Sequence, residues 1–279
     1  MKISGFTFCR NVVKFDFPVV EAITSILPIV DEFVVNVGKS EDETLEVIQS
    51  IKDRRMKIVE SVWDESLRKD GRIFGIQQDM ALSYCTGDWA FLVQGDEVIH
   101  EEDLADIRAA LDHYSPDPEV LGLVLRVLHF KGDYWSIDPW MYRKATRIIR
   151  NHRGMSSVTD GCDFRTAEKD QMIKSGKNGR LIKARVFHYG WVKNPVLLQR
   201  KLAYQKSRHE GEVLSPEEIE ARTTLLAQFP NYDILKTFRG THPQVMEPRV
   251  RGMGPLRTRR NRWLNWRFYR AILRHGFKG

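Results

Sequence analysis

Short apolar runs alternate with amphipathic stretches along the first hundred residues of the chain. The runs that predict β-strands are 3–8, 32–37, 56–60 and 91–93. The stretches between them that predict α-helices are 18–27, 42–52 and 72–84. Parallel neighbours in a sheet need long crossover connections, and helices of this length supply them. The pattern therefore predicts an α/β fold whose first half is built around a parallel sheet.

The second half of the chain has a more irregular pattern. A helix is predicted at 100–114, and the strands that follow are predicted at 120–130, 146–150 and 182–189. Asn194 and Pro195 suit the cap and first turn of a helix that runs to about Arg208. Ser215 and Glu218 form a capping box that starts another helix. A mixed sheet flanked by helices, followed by a helical extension, is the predicted architecture.

Composition fits a globular protein with a sizeable core. The chain has 279 residues, of which 42% are hydrophobic. Its three cysteines, Cys9, Cys85 and Cys162, lack metal-ligand spacing and lie in or near apolar runs, which predicts buried free thiols in a reducing cytoplasm. The first residues lack the apolar core of a signal peptide, and no apolar run reaches the roughly 18 residues of a membrane span. A cytoplasmic protein, soluble or peripheral to the membrane, is expected.

Basic charge is concentrated in the last thirty-one residues. Residues 249–279 contain ten Lys and Arg and no Asp or Glu, so of the formal net charge of +7 the tail contributes +10 and the rest of the chain −3. A nearly neutral body disfavours nucleic-acid binding by that body. A helix at 257–274 would align Arg267, Arg270 and Arg274 in one stripe, with apolar residues on the other side. Such a helix either lies on an anionic membrane surface or docks its aromatic side chains on the main domain.

A polar turn follows the fourth apolar run and is the first candidate for chemistry. The segment 89–98 (WAFLVQGDEV) places Gln94, Asp96 and Glu97 beyond a buried strand. Ligands of open α/β sheets bind beyond the carboxyl ends of such strands, and hard cations prefer carboxylate oxygens. The alternatives are a purely local turn role for Asp96, and a helix cap for Glu97 rather than a part in orienting a metal. Arg147 is either a guard of the same pocket or part of a solvated face.

Four segments carry a resemblance to a known family. They are 6–11 (FTFCRN), 31–44 (DEFVVNVGKSEDET), 69–88 with its KDGR, QDMAL and TGD elements, and 94–96 (QGD). Their order resembles the Rossmann-like GT-A fold of glycosyltransferase family 2, with QGD where the family has its DxD motif. The resemblance predicts a GT-A-like domain at 1–192 and a helical extension at 193–279 that ends in the basic tail.

The resemblance implies roles for particular residues. It implies nucleotide binding by Thr7, Asn11, Asn36, Asp42, Arg72, Gln78, Gln94 and Asp96. It implies a divalent cation, Mn or Mg, held by Asp96 and His188. It implies Asp160 as the general base, with Asp163 as runner-up. His188 is otherwise a histidine packed among aromatic residues, and Asp160 a turn residue beside Gly161.

Two departures from the family pattern concern the donor site. Asn36 stands where the family commonly has an Asp that binds the base, and Gln94 replaces the first Asp of DxD. An amide brings no negative charge to a cation. Arg72 is the predicted phosphate contact, or an exposed residue at a helix start. The loop residues Trp135 and Trp140 form an acceptor platform, or belong to the core.

The function implied is sugar transfer from a nucleoside-diphosphate sugar to a hydroxyl group, inverting and metal-assisted. The acceptor implied is a carbohydrate or a lipid-linked molecule in bacterial envelope polysaccharide or lipopolysaccharide assembly. The alternatives are a catalytically inactive sugar-nucleotide-binding relative and a nucleic-acid-binding protein acting through the tail; no nucleic acid is the expectation. A nucleotidyltransferase is disfavoured, because no Gly-rich loop bearing Arg and Lys lies near the first strand.

Overall fold

Within the part of the chain that the structure describes, ten strands form one sheet. The structure, a computed structural model, describes residues 1–151, 154–210, 215, 217–218, 234–255 and 262–276. Its strands are β1 (Ile3–Cys9), β2 (Glu32–Gly38), β3 (Met56–Ser61), β4 (Trp89–Leu92), β5 (Glu97–Ile99), β6 (Gly122–Lys131), β7 (Ser136–Ile137), β8 (Lys144–Arg150), β9 (Met155–Ser157), β10 (Phe164–Thr166), β11 (Gln171–Met172), β12 (Gly179–Trp191) and β13 (Lys236–Thr237). Its α-helices are α1 (Val19–Ile26), α2 (Thr44–Gln49), α3 (Arg72–Ser83), α4 (Leu104–Tyr114), α5 (Pro195–Glu210), α6 (Glu247–Arg251) and α7 (Trp266–His275).

The sheet has a parallel half and a mixed half. Strand order is β13-β7-β6-β8-β4-β1-β2-β3, with β12 beside β6 and β5 beside β12. The four strands β3, β2, β1 and β4 are parallel, as the sequence predicts. Strand β8 runs antiparallel to both β4 and β6, whereas β12 is parallel to β6. This Rossmann-like mixed sheet flanked by helices confirms the predicted fold class.

Alternating residues of the buried strands pack on opposite faces of the sheet. In β4, Trp89 and Phe91 belong to the apolar cluster that includes residues of α1, α2 and α4. Ala90 and Leu92 belong to a second cluster with α3 and with Phe164 of a small sheet, β9-β10-β11. Side chains alternate across a strand, so a run buried on both faces must be apolar at every position.

The sequence predicts the longer elements well and misses the short ones. Strands β6, β8 and β12 lie where runs of apolar residues predict them, within a few residues at each end. The small sheet β9-β10-β11 and the strand β5 were not predicted, because strands of two or three residues have too few positions to show a period. Cys9 and Cys85 are buried and Cys162 is partly buried, all as free thiols.

The described part of the extension packs against the main domain. Arg249 of α6 forms ion pairs of 2.6 Å with Asp16 and with Glu21. The Tyr189 hydroxyl lies 2.8 Å from His242 Nδ1. The capping box at 215–218 is confirmed by reciprocal hydrogen bonds of 2.7 and 3.2 Å, while the helix that it was predicted to start lies outside the described residues.

The basic tail forms a shorter helix than predicted. α7 begins at Trp266 because Asn265 is extended and its side chain accepts a hydrogen bond from the Arg267 amide, which makes it the N-cap. The predicted stretch 256–261 lies outside the described residues. Phe268 is buried, with its ring 6.2 Å from that of Trp140, so one aromatic residue docks on the main domain. Among the helices that the structure describes, none is both long and apolar enough to cross a membrane.

Candidate functional site

The turn between β4 and β5 holds Asp96 against β12. The backbone carbonyl of Asp96 accepts a 2.8 Å hydrogen bond from the Tyr189 amide. In the antiparallel register of β5 and β12, Glu97 is opposite His188. The Asp96 Oδ2 atom consequently lies 3.8 Å from His188 Nε2. The structure therefore brings together the two residues predicted to hold a metal.

A lysine from the extension completes this cluster. Lys201 of α5 is buried, and its Nζ donates to Asp96 Oδ2 at 3.1 Å and to the Gly190 carbonyl at 2.9 Å. The ammonium group also lies 4.6 Å from the centre of the Phe17 ring. Lys201 was not predicted, since the sequence does not distinguish it from Lys206, the exposed lysine of the same helix.

Gly190 has no side chain, and the side chains of Asp96, His188 and Lys201 occupy the space that a Cβ would need. A Cβ atom at this position would lie 2.2 Å from Asp96 Oδ2 and 2.8 Å from both Lys201 Nζ and His188 Cε1. Contacts that short are closer than van der Waals packing permits. The cluster requires glycine here because of this close approach.

Burial and neighbouring charges set the protonation of the cluster. Burial raises the pKa of Asp96, but the neighbouring Lys201, His188 and Lys193, together with the hydrogen bond from Lys201, outweigh it and hold that pKa below its ordinary value. Burial lowers the pKa of His188 more than Asp96 and Glu97 raise it. Burial, followed by the charge of Lys201, lowers the pKa of Lys193 to about 7. Lys193 donates a 2.6 Å hydrogen bond to the Asp16 carbonyl.

Glu97 forms a second, closed ion pair. Arg147 Nε donates to Glu97 Oε2 at 2.7 Å, and Arg147 Nη2 donates to Oε1 at 2.6 Å. Arg147 also donates to the carbonyls of Thr146 and Cys162. Both side chains are buried, so Arg147 is neither a pocket guard nor part of a solvated face, and Glu97 lies in β5 and caps no helix. The ion pair was not predicted, because Arg147 comes from β8, fifty residues away in the chain.

A cavity of about 220 Å³ opens beside the cluster, at the carboxyl ends of β1 and β4. Its lining has an aromatic part, in which the rings of Phe8, Trp63 and Phe74 lie 5.9 to 6.3 Å apart. The polar part of its lining consists of Arg10, Gln94, Asp96, Asp160, Lys201 and Gln205. Flat apolar surfaces and charged groups thus share one cavity.

Three of the predicted site residues line the cavity. Asp96 lines it while paired with Lys201. Gln94 lines it with its amide group held in place, since Nε2 donates to the Gly161 carbonyl at 3.0 Å. Asp160 is exposed at the cavity, and its Oδ1 accepts a 3.2 Å hydrogen bond from the Cys162 amide. Asp163 does not line it: its carboxylate accepts from the Phe164 amide at 2.9 Å instead.

Three predicted nucleotide contacts are buried away from the cavity surface. Asn36 Nδ2 donates to Gln77 at its carbonyl and side-chain oxygens, both at 2.9 Å. Gln78 Nε2 donates to Ser157 Oγ at 2.8 Å. Thr7, in the middle of β1, has no exposed surface. Because these side chains point into the packed layers, they position the elements around the cavity and do not line it.

The remaining three predicted contacts lie near the cavity but do not line it. Asn11 Oδ1 accepts a 2.9 Å hydrogen bond from the Glu41 amide, which ties the loop after β1 to the loop after β2. Asp42 accepts from the Thr44 amide at 3.1 Å at the start of α2. Arg72 is exposed at the first position of α3. The cavity instead uses Arg10, which the sequence analysis missed.

The donor set around Asp96 fits an ammonium ion better than a divalent cation. A hard dication needs several oxygen or imidazole ligands, and Asp96 Oδ2 already accepts from Lys201. Gln94 is neutral, and its amide nitrogen is held by Gly161. Among the residues that the structure describes, no three His, Cys, Asp or Glu side chains lie in a group that could hold a metal ion.

Solved structures with some likeness to the chain include S. aureus TarS and a mannosyl-3-phosphoglycerate synthase. S. aureus TarS 1-349 gives a TM-score of 0.41 at 16% identity, over 80% of this chain and 71% of that one. The same protein in complex with UDP-GlcNAc gives 0.43 at 17% identity, over 80% and 69%. Mannosyl-3-phosphoglycerate synthase from Rubrobacter xylanophilus gives 0.32 at 19% identity, over 49% and 42%.

Similarities at these TM-scores do not support a functional assignment. The fold is assigned from the sheet topology alone. No protein-family model matches the chain, and no curated protein matches it either.

Proposed function

We propose that the chain is a glycosyltransferase that moves a sugar from a nucleoside-diphosphate sugar to a hydroxyl group. The observation that carries the proposal is a single cavity, at the carboxyl ends of two parallel strands, that combines aromatic surfaces with a buried lysine. That edge of an α/β sheet is where such folds bind ligands. A nucleoside diphosphate has the matching chemistry, since it joins a flat base to an anionic group.

The aromatic part of the cavity suits the base. Phe8 and Phe74 lie with Trp63 around one side of it, and Arg10 places its guanidinium 5.3 Å from the Trp63 ring centre. Stacking of a nucleic-acid base on an aromatic side chain contributes about 1–3 kcal/mol. Stacking accepts any base, so these residues supply affinity without choosing among bases.

The charged part suits the diphosphate and the transferred sugar. Charge develops on the diphosphate as it leaves, and a fixed positive group next to it stabilises the transition state. Lys201 is such a group, since Asp96 and Gly190 hold it in place at the cavity. Asp160 is exposed at the same cavity, where a carboxylate can accept a proton.

The reaction is proposed to invert the configuration at the anomeric carbon. The acceptor oxygen attacks that carbon and forms the new glycosidic bond, while the bond from the carbon to the diphosphate oxygen breaks and its electron pair leaves with the nucleoside diphosphate. The acceptor proton passes to the Asp160 carboxylate. A direct displacement of this kind forms one bond opposite the bond that breaks, which gives inversion.

A ligand screen tests the proposal. The full chain is heated with UDP, GDP, ADP or CDP and with the corresponding sugar nucleotides, each with Mn and with EDTA. A ligand at 100 times its Kd stabilises the native state by about 2.7 kcal/mol and raises Tm. Stabilisation by at least one nucleotide, with release of that nucleoside diphosphate from its sugar nucleotide, supports the proposal. No stabilisation by any of them contradicts it, and binding without turnover indicates an inactive relative.

Phe74 provides a test of the aromatic part. Phe74→Leu keeps an apolar side chain but removes the ring, so the affinity for a nucleoside diphosphate should fall about tenfold or more. The affinity for inorganic pyrophosphate, which has no base, should not change. Isothermal titration of both ligands measures the difference. Equal losses for the two ligands would place the base elsewhere.

The tail is proposed to bring the enzyme to an anionic membrane that carries a lipid-linked acceptor. Leu264, Trp266 and Leu273 are exposed around α7, although Phe268 is docked. The three arginines of the predicted stripe are exposed on the same short helix: Arg267, Arg270 and Arg274. Exposed apolar side chains beside basic ones are the features of helices that bind anionic lipid surfaces.

Co-sedimentation with vesicles tests this part of the proposal. The full chain should pellet with vesicles of phosphatidylglycerol and phosphatidylcholine but not with phosphatidylcholine alone, and salt should release it. The variant Trp266→Ser/Leu273→Ser keeps every arginine and should lose most of the binding. Binding that survives in this variant would show a purely electrostatic contact, and no binding to anionic vesicles would contradict the proposal.

A further inference from the structure

We infer that the ammonium group of Lys201 takes the place of a divalent cation in this site, so that the chain binds and releases a nucleoside diphosphate without metal. The inference rests on the proposed function and concerns the same cavity. It departs from the Mn or Mg ion that the sequence resemblance implies.

The first support is the geometry of Lys201. An ammonium group has three N–H donors. Asp96 Oδ2 takes one at 3.1 Å and the Gly190 carbonyl takes a second at 2.9 Å. For the third, the described residues offer no further hydrogen-bond partner, and Lys201 lines the cavity. A donor held by two fixed acceptors and open on its third side is ready to bind a phosphate oxygen.

The second support is that the absence of a side chain at Gly190 leaves space for the Lys201 ammonium group. Gly190 lacks the Cβ that would lie 2.8 Å from Lys201 Nζ and 2.2 Å from Asp96 Oδ2. Phe17 covers the ammonium group, with its ring centre 4.6 Å away. The side chain is only 4% exposed, so packing restricts its position.

The third support is that the carboxylate of the turn that faces the cavity is already paired. Asp96 is the one carboxylate of the turn that reaches the cavity, because Glu97 is closed off by Arg147. The Asp96 charge is neutralised by Lys201, and Gln94 adds none. A dication at Asp96 would lie beside an ammonium group of the same sign, and this repulsion disfavours it.

Lys201 then serves the reaction by charge alone. As the bond between the anomeric carbon and the diphosphate oxygen breaks, the electron pair moves onto the diphosphate, and Lys201 donates a hydrogen bond to the oxygen that gains the charge. The lysine keeps its proton throughout. Product release needs no metal to dissociate, because the ammonium group is covalently part of the chain.

Isothermal titration of the full chain tests the inference. The probe is whichever of UDP, GDP, ADP and CDP binds most tightly in the thermal screen, titrated in EDTA and again with Mn. Lys201→Met should weaken binding at least about tenfold, whereas Lys201→Arg should keep most of it. The matched control is Lys206→Met, on the same helix, where the lysine is exposed and paired with Glu210. That variant should bind like the wild type.

Lys201→Met leaves the Asp96 carboxylate buried without its partner, and this unpaired charge can by itself impair folding. A second variant separates that effect from the loss of the lysine. Asp96→Asn/Lys201→Met removes both charges and should fold with a Tm near that of the wild type, yet still bind weakly. Equal affinity of the wild type in EDTA and in Mn, together with weakened binding in both variants that carry Lys201→Met, supports the inference. A requirement for Mn overturns it, and so does unchanged affinity in Lys201→Met. If no nucleoside diphosphate binds the wild type under any condition, the proposed function fails as well.

Discussion

Asp96 and Glu97 are neighbours in the chain, yet their ion pairs differ in geometry and in what surrounds them. Glu97 and Arg147 meet through two short hydrogen bonds with exposed fractions of 1% and 0%, and Arg147 donates further to two carbonyls. Asp96 and Lys201 share one contact of 3.1 Å beside a cavity, and Lys201 keeps one donor without a described partner. We call Glu97 and Arg147 the closed pair, because it is enclosed in the core, and Asp96 and Lys201 the open pair, because it borders the cavity.

The difference arises from the partner that the fold brings to each residue. Asp96 is the last residue of the turn and Glu97 is the first residue of β5, so the two adjacent carboxylates face different surroundings. Glu97 faces Arg147 of β8, and Asp96 faces Lys201 of α5.

The largest expected effect tests the closed pair. Arg147→Met leaves the Glu97 carboxylate buried and unpaired, which should lower the free energy of unfolding by about 3–5 kcal/mol. Urea unfolding measures it. The control is Arg143→Met, which removes an exposed arginine next to the same strand and should change stability by less than about 0.5 kcal/mol. Similar values for the two variants would mean that the closed pair does not stabilise the fold.

The next effect tests the space around the open pair. Gly190→Ala puts a Cβ 2.2 Å from Asp96 Oδ2, so the pair must move, at a cost of about 1–3 kcal/mol and with loss of nucleoside-diphosphate binding. Gly95→Ala is the matched control in the same cavity, because its Cβ would meet nothing closer than 3.7 Å. Titration and urea unfolding of both variants measure the contrast. Normal binding by Gly190→Ala would show that the pair is not needed.

A smaller effect concerns the buried lysine next to the open pair. The pKa of Lys193 is about 7 in the folded chain, below the ordinary value of about 10.4, so between these values the unfolded chain binds the extra proton. The free energy of unfolding should therefore rise with pH above 7, by at most about 1.4 kcal/mol per pH unit. Below pH 7 both states are protonated, so the pH dependence that comes from Lys193 should vanish. Lys193→Met should lack the rise in urea unfolding between pH 7.5 and 8.5. Parallel curves for both proteins would contradict it.

The sequence predicts those parts of the site that depend on local pattern. Apolar runs locate β1, β2 and β4, and the polar turn after β4 locates Asp96 at the edge where ligands bind. The late strand with His188 is likewise found from its run of apolar residues, and the sheet brings it to Asp96.

The residues that the sequence does not predict depend on distant partners. Lys201 is buried because α5 packs over the turn, 105 residues away in sequence, and no local pattern shows it. Asn36 fits a base-binding position by motif, but its amide is used by Gln77 across the layer between β2 and α3. Pairing across the fold decides these roles.

The most direct test compares two substitutions of the open pair, each titrated in EDTA and again with Mn. Asp96→Asn keeps an acceptor for Lys201 and removes the negative charge, so a site that works through Lys201 should bind the nucleoside diphosphate within about threefold of the wild type, whereas Lys201→Met should lose about tenfold or more. A site that works through a metal gives the reverse order: binding that needs Mn, is lost in Asp96→Asn and survives in Lys201→Met. That reverse order would contradict the account.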